Sequence, residues 1–272
     1  MSNTRPIAPF DRRDLEVVDS RTYGQYRVIG VVDSEAPVAL PGQFHMLTAT
    51  AGWGGEEGGR PWLPRPISFL SNGTEGRFDF LIDPIGPGTR LLAELLPGDS
   101  VCVVGPLGNG FSPVAEGVRP VLVGGGIGAA PVMALSERLL ANELDHDLIL
   151  GFRSEQQAQI AELAPHAHVM TDDGSAGERG NVIDALDRLE LGQAEFYGCG
   201  PAPMLNALRL RAERLEIRSQ LALEAPMACG FGACFGCAVE TRAGIIRLCV
   251  DGPVLDGASL DFITPTGRRP AA

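Results

Sequence analysis

The chain has 272 residues, 44% of them hydrophobic and 21% charged, which is ordinary globular usage and excludes a disordered or fibrous protein. Its 22 basic residues, all arginine, stand against 34 acidic ones and give a net charge of −12. That balance excludes a basic surface of the kind that holds nucleic acid.

The first third reads as β structure. Apolar and β-branched runs at residues 15–18, 26–32, 44–50, 67–70, 78–82 and 101–104 are separated by Gly, Pro and Asp clusters. Short strands at this spacing predict a small antiparallel barrel. One helix, 90–96, is expected to interrupt it, opened by Thr89 and closed by Pro97 and Gly98. From residue 117 the rhythm changes. Strands are expected at 121–123, 148–150, 168–170 and 195–197, with helices at 129–142, 155–163, 182–189 and 202–215. Strand–helix alternation predicts a doubly wound parallel sheet. The remainder is loop-rich, and its end, 267–270, is expected to fray. Three domains follow: residues 1–116, 117–217 and 218–272.

Residues 1–14 hold no apolar core of a signal peptide. The longest uncharged run, 120–136, is shorter than a membrane span of about 20 residues and carries two prolines and four glycines. It reads as a buried strand running into a glycine loop, so a soluble, cytoplasmic protein with no membrane partner is expected.

Four of the six cysteines crowd into the C-terminal section. Cys229, Cys234 and Cys237 form C-x4-C-x2-C, the spacing of plant-type [2Fe–2S] proteins, and Cys249 follows. Two irons and two bridging sulfides need four converging thiolates. Gly230, Gly232 and Gly236 give the loop the freedom to wrap such a cluster. A structural zinc site favours paired C-x2-C instead. Buried unliganded cysteine is common singly, and is the reading for Cys102 in its strand pattern, but not for four together.

The strand at 121–123 runs into Gly124-Gly125-Gly126-Ile127-Gly128, and a helix follows. Such a turn brings backbone N–H groups to a pyrophosphate, although a plain structural turn has the same look. A second glycine turn, Gly198-Cys199-Gly200-Pro201, falls at the end of a later strand on the same carboxyl edge. Two such turns suggest a dinucleotide lying across that edge, with Cys199 facing the nicotinamide or simply packing. Arg153 follows the second strand of this domain, where a 2′-phosphate could sit, so NAD and NADP both stay open.

Arg65-Pro66-Ile67-Ser68 enters a strand, and Gly88-Thr89 lies further on at a helix start. Arg65 can pair with phosphates in bidentate fashion, and Gly-Thr can supply backbone and hydroxyl donors. Ser68 could donate to a flavin ring atom. A β-turn, a capped helix and a solvated arginine would look the same, and composition does not choose between them.

Taken in order, R-P-I-S, G-x-G-T, G-P-L-G-N-G-F (105–111), G-G-G-I-G-x-A-P, C-G-P and C-x4-C-x2-C-x11-C resemble the electron-transfer subunit of the NAD-linked dihydroorotate dehydrogenases, a branch of the ferredoxin-reductase superfamily. The likeness covers about residues 15–260. Ile67, where most ferredoxin reductases have Tyr, and the cysteine stretch followed by Asp251-Gly252-Pro253 are its more specific parts.

The resemblance implies a β-barrel that binds FAD, an α/β domain for NAD and a small [2Fe–2S] domain. Arg65, Pro66, Ile67 and Ser68 would bind FAD, with Ile82, Asp83 and Pro84 along the flavin and Gly88 and Thr89 at its pyrophosphate. Gly126 and Gly128 would approach the nicotinamide nucleotide, with Cys199, Gly200 and Pro201 near its nicotinamide end. Cys229, Cys234, Cys237 and Cys249 would ligate the cluster. The implied partner is an FMN-carrying catalytic subunit that oxidises dihydroorotate for pyrimidine biosynthesis, in a heterotetramer. A related NAD(P)H-linked reductase serving a hydrogenase or a ferredoxin is the alternative. No catalytic acid or base constellation is expected. The stretch 53–62 departs from the pattern as an enlarged loop, and Asp83 stands where relatives tend to be basic or aromatic.

Overall fold

The structure is a computed structural model that describes residues 12–54, 61–73 and 76–261. The expected fraying at 267–270 and most of the enlarged loop, 55–60, lie outside these residues.

Six antiparallel strands close a barrel: β1 (Arg13–Tyr23), β2 (Tyr26–Val32), β3 (Phe44–Ala49), β4 (Arg65–Asn72), β5 (Arg77–Ile82) and β6 (Ser100–Leu107), in the order β1-β2-β5-β4-β3-β6. Closure leaves no exposed edge. Alternate residues point inward, so Val17, Ile29, Val31, Leu47, Phe69, Phe80, Ile82, Val101 and Val103 fill the barrel. Helix α1 (Pro87–Ala93) lies between β5 and β6. It begins three residues before the expected start because Pro87 is already fixed in helical φ. The Thr89 hydroxyl accepts from the Gly86 N–H at 3.1 Å and closes that end.

The second unit is a seven-stranded sheet. Strands β7 (Arg119–Gly125), β8 (Asp147–Phe152), β9 (His168–Thr171), β10 (Glu178–Arg179) and β11 (Ala194–Cys199) are parallel. Helix α2 (Ala129–Ala141) follows β7, α3 (Glu155–Ala158) follows β8, α4 (Val182–Leu186) precedes β11, and α5 (Ala202–Leu215) follows it. The segment expected as one helix over 155–163 is α3 continued by a 3-10 turn.

The sheet does not stop at residue 217. Strand β12 (Arg218–Ala222) pairs in parallel with β11, and β15 (Val254–Asp256) pairs with β12 antiparallel. The C-terminal segment therefore leaves the sheet at Ala222 and returns at Val254. Between them it forms the cysteine loop, the hairpin β13 (Ala238–Thr241) and β14 (Gly244–Arg247), and the single turn α6 (Leu248–Asp251). The expected boundary at 217/218 missed this because Ser219, Gln220 and Leu221 are too short and mixed a run to stand out as a strand.

Helix α2 is apolar and buried over residues 129–135, while Glu137, Arg138 and Leu140 near its end are exposed. It packs between sheet and barrel, in one apolar cluster that joins Tyr26, Val28, Leu70 and Leu81 of the barrel to Leu122, Val132, Leu135 and Leu150. That shared core fixes barrel and sheet against each other and places the carboxyl ends of β7 and β11 beside β4 and β5.

Candidate redox site

The two glycine turns meet. A Cβ on Gly128 would lie 2.5 Å from the Cys199 carbonyl oxygen, and one on Gly200 would lie 3.0 Å from the Gly125 nitrogen. Only glycine permits this approach, which follows from the parallel pairing of β7 with β11. Two clefts open on either side of the junction.

The first, with about 240 Å3 of space, has mainly apolar walls: Phe44, Pro66, Ile67, Leu81 and Ile85 face Ile127, Ala130 and Pro131. Ser68, Thr89, Asp83 and Glu224 supply polar atoms, and Gly128 and Cys199 form its inner end. A flat apolar ring with a polar rim fits this lining. Arg65 does not line the cleft itself. Its guanidinium lies across Gly88, where a Cβ would come within 2.7 Å of Nε and 2.9 Å of Nη2. Nη1 donates to the Leu63 carbonyl at 2.6 Å, and Trp53 lies beneath the guanidinium at 5.6 Å. Arg65, Gly88 and Thr89 thus converge, as a phosphate site requires.

Two expected flavin residues are placed differently. The Ile82 side chain is fully buried inside the barrel, and Leu81 faces the cleft in its stead. The pleat sends neighbours to opposite faces, so only one of the two can do so. Pro84 is met through its carbonyl, which accepts from Arg90 Nε at 3.3 Å. Ile85 projects into both clefts and is 77% exposed.

The second cleft runs over the carboxyl ends of the strands. Gly125, Gly126, Gly200 and Pro201 form its floor, and Tyr26, Arg153, Asp172 and Asn181 stand around it. It shares Asp83, Ile85, Ile127 and Glu224 with the first. Glu224 has surface open to these clefts, yet protein surrounds its carboxyl closely enough that burial raises its pKa. Burial also raises Asp83, against the pull of the Gln25 amide at 3.2 Å. Burial and the Glu224 charge hold the Cys199 thiol well above its ordinary value, so it stays neutral. A neutral buried thiol packs against a ligand and does not attack one. Glu224, Ile85 and Tyr26 had no sequence signal, because each lies outside the motifs and reaches the clefts only through the fold.

The four cysteines fall into two couples. Cys229 and Cys234 interact through their thiols. The Cys249 N–H donates to Cys237 Sγ at 3.4 Å, and the Gly236 N–H donates to Cys234 Sγ at 3.4 Å. Burial opposes the charged form of Cys229, but the N–H groups of Phe231, Cys234 and Ala233 pull its thiol down to about 6. Burial and the facing Cys237 push Cys249 up to about 12, and Cys229 adds to that. Among the described residues no three His, Cys, Asp or Glu side chains gather tightly enough for a single metal ion. Two thiol couples within each other's field instead suit a binuclear cluster, which takes two thiolates per iron.

The loop is braced from two sides. A Cβ on Gly230 (φ +81°) would meet Met46 Cγ of the barrel at 2.6 Å. Arg247 Nη1 donates to the Gly232 carbonyl at 2.7 Å, and its guanidinium stacks on Phe235 at 4.8 Å. From the barrel end, the Asn109 N–H donates to the Gly252 carbonyl at 2.5 Å and its side chain donates to Asp251 at 2.9 Å. Phe231 and Phe235 are 46% and 61% exposed, so neither is packed inward.

The family described as the iron–sulfur cluster binding domain of dihydroorotate dehydrogenase B matches residues 224–261. Similar whole chains include electron transfer subunits of dihydroorotate dehydrogenase B (NAD(+)). That of Caldanaerobacter subterraneus subsp. tengcongensis is 36% identical over 79% of this chain and 84% of its own. That of Bacillus caldolyticus is 39% identical over the same shares, and that of Clostridium perfringens is 33% identical over 85% and 91%. Among solved structures, a chain of the NADH-dependent reduced ferredoxin–NADP oxidoreductase superposes with a TM-score of 0.77 at 27% identity, over 91% of this chain and 90% of that one. Phthalate dioxygenase reductase, at 15% identity over 88% and 94%, shares the fold with a TM-score of 0.57.

Proposed function

The chain belongs to the family of electron transfer subunits of dihydroorotate dehydrogenase B (NAD(+)), and on that footing we propose that it takes electrons from a partner that oxidises dihydroorotate and delivers them to NAD+. The partner in this reading is an FMN-carrying catalytic subunit, joined in a heterotetramer. NAD+ is then the substrate rather than a resident cofactor.

The observation that carries the reading is one stretch of chain. Leu223, Glu224, Ala225 and Met227 form a wall of the first cleft, and Cys229 follows two residues later. The same segment thus lines the ring cleft and begins the cysteine loop. Cys229, Cys234, Cys237 and Cys249 would hold a [2Fe–2S] cluster. Pro66, Ile67, Ser68 and Asp83 would line the ring of FAD, and Arg65, Gly88 and Thr89 would meet its phosphates. Bound flavin supplies the exchange between hydride transfer, two electrons at once, and one-electron steps.

This chain's residues position and shield. Ile67 and Ile127 close the ring cleft from opposite sides and exclude water. Gly128 and Cys199, in contact, form the joint through which a nicotinamide in the second cleft can reach a ring in the first. Glu224 offers an acceptor at that joint, where a carboxamide N–H can be held.

Purification from native cells tests the reading. The chain should carry flavin and iron, reduce a dye with NADH, and bring down an FMN-containing dehydrogenase. A colourless protein containing zinc would overturn it, and a hydrogenase or ferredoxin in place of the dehydrogenase would overturn the partner.

A further inference from the structure

Tyr26 opens strand β2, yet its ring does not enter the barrel. It packs in the apolar cluster between α2 and the sheet, with 1% of its surface exposed. Buried tyrosine hydroxyls almost always find a partner, because an unpaired one costs the full desolvation penalty. The Tyr26 hydroxyl has none. Asp83 and Arg153 are its charged neighbours, and neither bonds to it.

The hydroxyl faces the glycine turn. Gly126 has a positive φ of +57°, and a Cβ built there would find the Tyr26 oxygen at 3.9 Å as its one neighbour within 4 Å. The space above Gly126 is therefore open and is bounded by this hydroxyl. Both residues line the second cleft. A donor left unpaired, buried and turned toward a phosphate-type loop is placed for an oxygen that arrives with a ligand.

We propose that Tyr26 is a nucleotide-binding residue lent by the barrel, whose hydroxyl donates a hydrogen bond to a pyrophosphate oxygen of NAD(H) lying over Gly126. Gly126 belongs to the sheet and Tyr26 to the barrel, so the nucleotide is gripped from both units at once. The pairing also registers the nucleotide against the barrel, which carries the ring cleft. The phenol keeps its proton throughout, since burial and Asp83 raise its pKa. The inference rests on the proposed NAD+ reaction.

The test is Tyr26→Phe in the flavin- and iron-loaded chain, with dissociation constants for NAD+, ADP-ribose and AMP and the melting temperature without nucleotide. Loss of a hydrogen bond to a charged acceptor should weaken NAD+ and ADP-ribose about tenfold or more, and AMP, which lacks the pyrophosphate, little. The melting temperature should hold or rise, because the variant removes a buried donor with no protein partner. Unchanged NAD+ affinity, an equal loss for AMP, or a fall in melting temperature with affinity intact would overturn the inference. A wild-type chain that binds no NAD+ would overturn the proposed function itself.

Discussion

The N–H of Cys249 donates to the sulfur of Cys237 across 3.4 Å, although the two lie twelve residues apart on either side of a hairpin. The hairpin β13–β14 closes that distance, since the Leu248 N–H also returns to the Cys237 carbonyl at 3.1 Å. One thiol couple is therefore set by the hairpin and the other, Cys229 with Cys234, by the loop.

Cys234→Ser should strip the iron while leaving FAD in place, because serine is a harder and far less acidic ligand and the flavin residues lie on other strands. Cys102→Ser, in strand β6 of the barrel, should keep its iron. Iron and flavin determinations on both variants check this, and equal iron loss in the two would contradict the ligand assignment.

Arg65→Ala should weaken FAD about tenfold or more, the loss expected for a charge-assisted contact to phosphate. Flavin retained through gel filtration measures it. Undiminished flavin content would remove Arg65 from the site.

Gly128→Ala would set a methyl group 2.5 Å from the Cys199 carbonyl oxygen. The two turns would have to part, at a cost of about 1–3 kcal/mol. A lower melting temperature should accompany a lower kcat/KM for NADH with a dye acceptor, with flavin still bound. Unchanged values in both measurements would mean that the two turns need not touch.

Glu224 gives a pH signature. Burial raises its folded pKa above the unfolded value, so in the interval between them the folded chain holds the extra proton. Stability from this group is thus present at low pH and is lost as pH rises through the folded pKa. In melting curves without nucleotide, Glu224→Gln should gain on the wild type as pH rises above the ordinary carboxylate range. A difference that stays constant with pH would contradict the raised pKa of this carboxyl.

Much of this architecture was legible from residue patterns. The alternating runs marked the barrel strands, and Gly124–Gly128 and the cysteine spacing stood out because their chemistry demands fixed types at fixed intervals. What escaped was non-local. Arg218–Ala222 reads as a strand only beside β11, and Ile82 was exchanged for Leu81 because the pleat, not the composition, decides which one faces the cleft. Tyr26 reaches the site from β2, and Ile85 and Glu224 from two separate loops, and nothing in their own neighbourhoods marks them.

The apolar surface around the cysteine loop suits a partner. Phe235 is 61% exposed and Ile245 is 75% exposed on the nearby hairpin. Ile245→Glu should weaken association with the proposed FMN-carrying subunit in sedimentation while iron content stays full, since a charge on an apolar contact surface is poorly tolerated. Unaltered association would place the contact elsewhere.

Coupled turnover tests the central claim most directly. The chain is mixed with the FMN-carrying subunit proposed as its partner, and dihydroorotate-dependent NAD+ reduction is followed for the wild type and for Cys234→Ser, alongside NADH-dependent dye reduction by each chain alone. The wild type should oxidise no dihydroorotate alone and should couple fully with the partner. Cys234→Ser should lose the coupled activity and keep much of the dye reduction. Robust dihydroorotate oxidation by the isolated chain, or unimpaired coupling in the variant, would contradict the account.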